Sequence, residues 1–241
     1  VKLVVASVVR NEADRYLPSA LECWMDFADA VVVLDDGSSD GTVELCRVAG
    51  AVVHERAPGA ARLWGAESAA RVELHGHVMA ERPDWVFYLD ADMCVSSDPR
   101  PHLEGCNGLA FRLYDVWGLD PLVYRCDGPW WQAHERHHPW AIRGACLPSA
   151  SEVRYSGRGL HSGHLPVNYE LGGSWRGLEP QHCVMLHYGY ADSGDRVAKE
   201  AAYLSVPELL PRERAHALTI NRAPELASLP VEPDYVLRRG R

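Results

Sequence analysis

Lysine is almost missing from this sequence. Of its twenty-four basic side chains only Lys2 and Lys199 carry an ammonium group, and the rest are arginine; we read that bias as the codon habit of a GC-rich genome. Nor is there a surplus of positive charge. The formal net charge is −9, which excludes a broad basic face for nucleic acid and leaves room only for a local groove. The seven cysteines (Cys23, Cys46, Cys94, Cys106, Cys126, Cys146 and Cys183) are odd in number and form no C-x-x-C pair. A disulfide framework or zinc ribbon is therefore not expected, and a reducing compartment fits. Long apolar runs are lacking too: the opening VKLVVASVV stops at Arg10, Asn11 and Glu12, too early for a membrane span or a secretory leader. The expectation is a soluble, cytoplasmic protein with no transmembrane segment. There is no internal repeat and no linker-like stretch, and 47% hydrophobic content over 241 residues is enough for one core.

What is present is an alternation of two periodicities. Residues 3–9 are a continuous, β-branched apolar run suited to a strand buried on both faces. Residues 13–28 carry Leu17, Leu21, Trp24, Met25 and Ala28 at helical spacing. Strand-like runs at 30–34, 51–54 and 85–89 alternate with helical stretches at 42–49 and 64–81. Strand, helix, strand repeated in this way predicts a parallel sheet whose ligands bind beyond the carboxyl ends of the strands. Two acidic clusters lie at those ends. After residue 105 short β-like runs (108–114, 122–125, 140–143 and 183–188) alternate with segments rich in Gly, His, Trp and Pro, which are candidates for substrate loops. A helix returns at 192–204, and residues 221–241 read as a strapping or mobile tail. The reading is one α/β domain: a nucleotide-binding half over 1–105, an acceptor half over 106–190, and a C-terminal helix and tail over 191–241.

Asp90-Ala91-Asp92 follows the apolar run WVFYL. At a strand end such carboxylates can hold a divalent cation that neutralises a diphosphate, with one of the two touching the metal directly. Asp35-Asp36-Gly37-Ser38-Ser39-Asp40-Gly41-Thr42 closes the second strand. Asp40 or Thr42 would satisfy free N–H groups at the helix start, and capping gives Asp35 and Asp36 no task, which leaves them for a base or ribose.

The run Val8-Val9-Arg10-Asn11-Glu12, then DDGSSDGT, then WVFYLDADM, resembles the family 2 glycosyltransferases of GT-A fold. The resemblance is strong over residues 1 to about 95 and weaker through FRLYDVWG and YRCDGPWW to LHYGYADSGDRVAKEAAYL. It implies a Rossmann-like GT-A fold with a mostly parallel central sheet and a loop-rich acceptor half. It also implies transfer of a sugar from a nucleoside-diphosphate sugar, UDP-hexose by family habit, to an acceptor hydroxyl with inversion. Glu12, Asp35 and Asp36 would contact the nucleoside, and Val8 and Arg10 would line its pocket. Asp90 and Ala91 would meet the ribose, with Asp90 also available to the metal; Asp92 would bind the metal directly, and His187 would complete its sphere. That metal would be Mn²⁺ or Mg²⁺, and an imidazole ligand favours Mn²⁺. Met93-Cys94 departs from the family habit of an acidic residue after the metal motif. The acceptor could be a glycan, a lipid-linked sugar, a protein, a natural product or a modified nucleic acid.

An inverting transfer needs a base near the acceptor hydroxyl. Asp115, Asp127 and Glu135 lie in the expected half, and Asp127 is favoured because Trp130 and Trp131 beside it could stack a sugar; core packing is the competing use of those rings. His134 and His138 would share a helix face as zinc ligands, but Pro139 follows at once and no third ligand is near. His75 and His77 are placed on a polar helix surface without a role. Arg62 and Arg71 could approach a diphosphate or pair on the surface. Two rival functions remain: a sugar nucleotidyltransferase, which expects a glycine-rich loop after the first strand where SVVRNEAD has none, and a non-catalytic sugar-nucleotide or carbohydrate-binding module.

Overall fold

The computed structural model describes residues 1–57, 63–156, 163–172, 174–206 and 209–240, with only the backbone described for 63–66. Arg62 lies outside the described residues. The nucleotide-side half runs β1 (Leu3–Val9), α1 (Leu17–Phe27), β2 (Ala30–Asp35), α2 (Thr42–Val48), β3 (Val52–Glu55), α3 (Leu63–Ala80) and β4 (Trp85–Tyr88). The rest comprises β5 (Met93–Val95), β6 (Gly108–Leu119), β7 (Leu122–Arg125), β8 (His137–Arg143), β9 (Trp175–Gly177), β10 (Met185–His187), α4 (Ser193–Leu204), α5 (Pro211–Ala217) and β11 (Leu226–Ser228). The main sheet has the order β11-β7-β6-β8-β4-β1-β2-β3. Its core β3-β2-β1-β4 is parallel, and β8 and β6 continue it antiparallel. β10 lies antiparallel to β5 and parallel to β6. The architecture is a mixed α/β fold, mostly parallel at its centre.

β1 sits in the middle because both its faces are apolar. Leu3, Val5 and Val9 join the core on the α1 side, while Val4, Ala6 and Val8 join the core under α3 with Ala70, Leu74 and Val78. Each of the valine and leucine side chains contributes about 1.5–3 kcal/mol by leaving water. α1 buries one stripe, Leu17, Ala20, Leu21, Trp24 and Phe27, and Trp24 is fixed by donating its indole N–H to the Met93 carbonyl at 3.0 Å. The helix begins at Leu17 rather than near 13. The Glu12 and Ala13 amides are taken by Thr42 Oγ1, at 2.8 and 3.1 Å, and Pro18 belongs at a first turn because it has no N–H to give.

The tail is a strap. β11 pairs with β7, Leu237 is buried against the α1-side core, and the Gly240 amide donates to the Arg15 carbonyl at 2.7 Å. No helix among the described residues is long and apolar enough to cross a membrane.

Candidate active site

A cleft of about 810 Å³ opens beyond the carboxyl ends of β1 and β4. Its walls take Val8, Arg10, Asn11, Glu12 and Arg15 from the end of β1 and the loop after it, and Glu67 and Arg71 from α3. Asp90, Ala91 and Asp92 follow β4, Asp115 comes from β6, His187 from β10, and Lys199 and Tyr203 from α4. Parallel strands align their carboxyl ends, so residues far apart in sequence meet there. Asn11 turns the chain into the cleft with φ 54°, a left-handed conformation that asparagine tolerates, and its Oδ1 accepts from the Ser39 amide at 2.8 Å.

Asp92 and His187 face each other across 3.5 Å. On the other side of the ring, His187 Nδ1 donates to Asp115 Oδ1 at 2.7 Å, because β6 and β10 place these two residues directly opposite in register. That hydrogen bond leaves Nε2 turned toward Asp92. A carboxylate behind the imidazole is the usual support of a metal-bound histidine, so the donor set of Asp92 and His187 fits a divalent cation. Among the described residues no three His, Cys, Asp or Glu side chains gather as a metal cage. Mg²⁺ and comparable hard cations are commonly held by one or two protein groups plus substrate phosphates and water, and that is the arrangement available here. Burial by itself would raise Asp92 and lower His187. Their mutual attraction, with Lys199 beside Asp92 and Asp115 behind His187, instead holds Asp92 well below the usual carboxylate range and lifts His187 to about 9.

Asp90 does not belong to that donor set. Its Oδ1 accepts from Arg71 at 3.1 Å and its Oδ2 from His164 at 2.9 Å, which uses both oxygens and depresses its pKa against the effect of burial. The expectation of Asp90 as a metal ligand is corrected: it holds the Arg71 guanidinium and the His164 ring at the cleft wall. Arg71, 5% exposed and bridging Glu67 and Asp90, is a cleft residue and not a surface one. Glu12 lines the cleft against Arg15 at 3.1 Å, and burial pushes its carboxyl up to about 8 although Arg15 opposes the shift.

Asp35 and Asp36 are placed differently from expectation. Asp35 Oδ2 accepts from the Gly37 and Ser38 amides at 2.9 Å each, closing the turn. Asp36 is fully buried, with Arg56 at 2.6 Å. Neither is among the cleft-lining residues. Capping falls to Asp40, which accepts from the Thr42 amide at 3.1 Å.

The three candidate bases separate. Asp115 lines the cleft, but its carboxylate serves His187. Asp127 is held by Arg125 through two hydrogen bonds of 2.5 and 2.9 Å and does not line the cleft. Arg125 is itself 1% exposed and lies between the rings of Trp117 and Trp131, at 4.7 and 4.5 Å. The pair is a structural knot, so the preference for Asp127 is corrected. Trp131 is packed edge-on to Trp117 and Tyr190, leaving Trp130 as the exposed ring beside the cleft. Glu135 is exposed and stands outside the cleft. His138 lines it: Nε2–H donates to the Ala133 carbonyl at 3.1 Å, Nδ1 has no hydrogen-bond partner among the described residues, and burial lowers the ring's pKa.

The histidine readings also change. His134 lies in a single 3-10 turn and His138 in β8, so they share no helix face as zinc ligands would. His75 is fully buried, between the Tyr88 hydroxyl at 2.9 Å and the Pro148 carbonyl at 3.0 Å, rather than on a polar surface; His77 stacks on His54. Lys199, Arg15 and His164 are cleft residues that the sequence patterns did not single out. Only Lys199 carried a signal, its rarity.

No family model matches the chain. Uncharacterised proteins of Mycobacterium bovis and Mycobacterium tuberculosis are each 29% identical to it over 209 residues, covering 83% of this chain and 50% of theirs. The chain thus spans about half the length of the curated relatives it matches. Among solved structures, S. aureus TarS aligns with a TM-score of 0.50 at 15% identity, over 91% of this chain and 42% of that one. A glucosyl-3-phosphoglycerate synthase from M. tuberculosis, solved with Mn²⁺ and UDP-glucose, aligns at TM-score 0.38 and 17% identity over 62% of this chain and 60% of that one. The fold is that of GT-A-like glycosyltransferases.

Proposed function

We propose that this chain carries a metal-dependent glycosyltransferase site that moves a hexose from UDP to an acceptor hydroxyl with inversion. The observation that carries the reading is the convergence of Asp92, His187 and its supporting Asp115 in one cleft at the carboxyl ends of a parallel sheet. A divalent cation, Mn²⁺ by preference, would be held by Asp92 and His187 and would supply charge neutralisation at the diphosphate. Asp115 fixes the tautomer and orientation of His187. Asp90 holds Arg71 and His164 in place, and Glu12, Arg10 and Val8 shape the wall where the nucleoside would lie. Asp36, paired with Arg56, is not needed to read the base, so preference for uridine rests on the family resemblance.

Transfer requires the acceptor oxygen to bond to the anomeric carbon while the bond to the diphosphate oxygen breaks and the acceptor proton leaves. In the cleft, the carboxylates of Glu12, Glu67, Asp90, Asp92 and Asp115 each face a basic partner. His138 is the group we assign as proton acceptor, because its Nδ1 faces no partner and burial keeps the ring neutral near pH 7. Trp130 and Trp140 flank the same wall, a mix of aromatic and polar groups suited to a sugar acceptor. One measurement separates this reading from its rivals: a thermal-shift panel of UDP-, GDP-, TDP- and ADP-sugars, and of nucleoside triphosphates with a sugar phosphate, with and without Mn²⁺. Stabilisation by a nucleotide-sugar only when metal is present supports the reading. Stabilisation by a nucleoside triphosphate and sugar phosphate, with none from any nucleotide-sugar, would favour a nucleotidyltransferase.

A further inference from the structure

The two lysines of the chain stand in unlike places. Lys2 lies at the surface on Glu81, at 2.8 Å. Lys199 is built into the cleft wall with its side chain 17% exposed; Nζ is 3.7 Å from Asp92 Oδ2, 3.5 Å from His187 Nε2 and 4.3 Å from the centre of the Tyr190 ring. Everywhere else but Lys2 this sequence uses arginine as its fixed cation, so an ammonium at 199 runs against the habit of the chain. The two cations differ in shape. A guanidinium would lie flat and fill the space between Asp92, His187 and Tyr190, whereas an ammonium is a point charge that leaves room beside it.

Its contacts are also incomplete. Amine donors in proteins normally reach acceptors at about 2.7–3.2 Å, and Asp92 Oδ2 and His187 Nε2 both lie beyond that range from Nζ. The ammonium is thus held near Asp92 and His187 without being well bonded to either, and it borders an open cleft. A group in that condition has protons to offer an anion. Gly189 keeps the space: a Cβ on it would stand 2.4 Å from both Nζ and Asp92 Oδ2 and 2.6 Å from His187 Nε2.

Resting on the nucleotide-sugar reading, the structure assigns Lys199 to the leaving diphosphate, with its ammonium donating to an oxygen of the phosphate that departs from the sugar. When the bond from the anomeric carbon to that oxygen breaks, the electron pair stays on the phosphate and Lys199 compensates the charge; the proton lost by the acceptor goes to the base and not to Lys199. A second consequence follows from position. Without a nucleotide, Lys199 occupies the neighbourhood of Asp92 and His187 and opposes a divalent cation there. With a nucleotide, the phosphate stands between the two cations and turns opposition into cooperation.

The test is isothermal titration of the chain and its Lys199→Met and Lys199→Arg variants with MnCl₂ alone, with UDP alone, and with UDP in the presence of Mn²⁺. Circular dichroism and melting curves confirm that each variant is folded. Lys199→Met is expected to bind Mn²⁺ alone more tightly than wild type and UDP more weakly, the latter by about tenfold, the size of one charge-assisted hydrogen bond. Lys199→Arg is expected to recover part of the UDP affinity. A merely structural lysine would move both affinities downward together, and that result overturns the assignment. If wild type binds UDP with Mn²⁺ and Lys199→Met matches it in every titration, the assignment falls and the site reading stands. If wild type binds no nucleoside diphosphate with or without metal, both fall.

Discussion

Gly189→Ala adds one methyl group to the point where Asp92, His187 and Lys199 meet. Its Cβ would lie 2.4 Å from Asp92 Oδ2, 2.4 Å from Lys199 Nζ and 2.6 Å from His187 Nε2, so each neighbour must retreat by roughly 1 Å to reach ordinary contact near 3.5 Å. Lys199 can do so by turning its flexible stem. Asp92 and His187 are short, and His187 is pinned from behind by Asp115 at 2.7 Å. Overpacking of this kind costs about 1–3 kcal/mol, and the freedom of the lysine puts this site toward the lower end. For a chain of this size 1 kcal/mol lowers the melting temperature by about 2–4 °C, a modest loss. Function should suffer more, because a displacement near 1 Å at reacting or coordinating groups can cost about 10²-fold in rate. The assay pairs a melting curve with Mn²⁺ titration and sugar transfer: a small drop in melting temperature, weakened Mn²⁺ binding and a loss of transfer on the order of 10²-fold are expected. Unchanged Mn²⁺ affinity and transfer in a folded Gly189→Ala protein would refute the claim that these three side chains form the working site.

Gly76→Ala is the contrasting case: Gly76 lies inside α3 with nothing within 4 Å of its would-be Cβ, so the melting temperature should rise, corresponding to about 0.5–1 kcal/mol. Asp92→Asn should lower Mn²⁺-dependent turnover by about 10²-fold or more, and His187→Ala by less, since water can fill one coordination position; EDTA should abolish donor binding in wild type, and full activity in chelator would contradict all three. Burial depresses the pKa of His75 below its ordinary 6.5, so the neutral ring is the folded form: its stabilising effect is complete above the ordinary value and is lost as pH falls through the folded-state value. His75→Gln should therefore flatten the fall in melting temperature between pH 7.5 and 5. Asp127→Ala should leave UDP affinity unchanged but destabilise the fold by about 1–3 kcal/mol, a buried-pair loss discounted for the partial exposure of the aspartate, because it strands Arg125 between two tryptophans; normal stability would show that the knot is dispensable.

The sequence made the central strands and the Asp92–His187 pair of the cleft legible because each is carried by a local pattern. β1, β2 and β4 are apolar on both faces, and Asp92 and His187 follow apolar runs in a familiar order. The short strands β5, β9 and β11 have three residues each, too few for a periodicity to register, and they exist because the long β6 and its neighbours offer edges to pair with. Charged partners were harder to foresee. Asp127 reads as a free acid in sequence, yet Arg125 two residues earlier lies on the same face of an extended chain, and Asp36 meets Arg56 only because β2 and β3 are adjacent and parallel. Asp115 was visible as an acid but not as a support for His187, since that role depends on the register of β6 against β10.

Charge bears on how the proposed site would use a metal. Among the described residues lining the cleft, Arg10, Arg15, Arg71 and Lys199 stand beside Glu67, Asp90, Asp92 and Asp115, while burial pushes the Glu12 carboxyl up to about 8 and the neighbouring carboxylates lift His187 to about 9. At pH 7 the charged His187 therefore joins the cations and the protonated Glu12 leaves the carboxylates, so five cations face four carboxylates. Under the proposed function a divalent cation on Asp92 and His187 would take the place of the proton on the imidazole, adding one net positive charge where a diphosphate would lie. The effect would be strongest where water is thin and screening by salt is weak, as around the Asp92–His187 contact, whose side chains are 14% and 12% exposed. Lys199 would aim and hold the leaving phosphate, and the added cation would strengthen the attraction beside it.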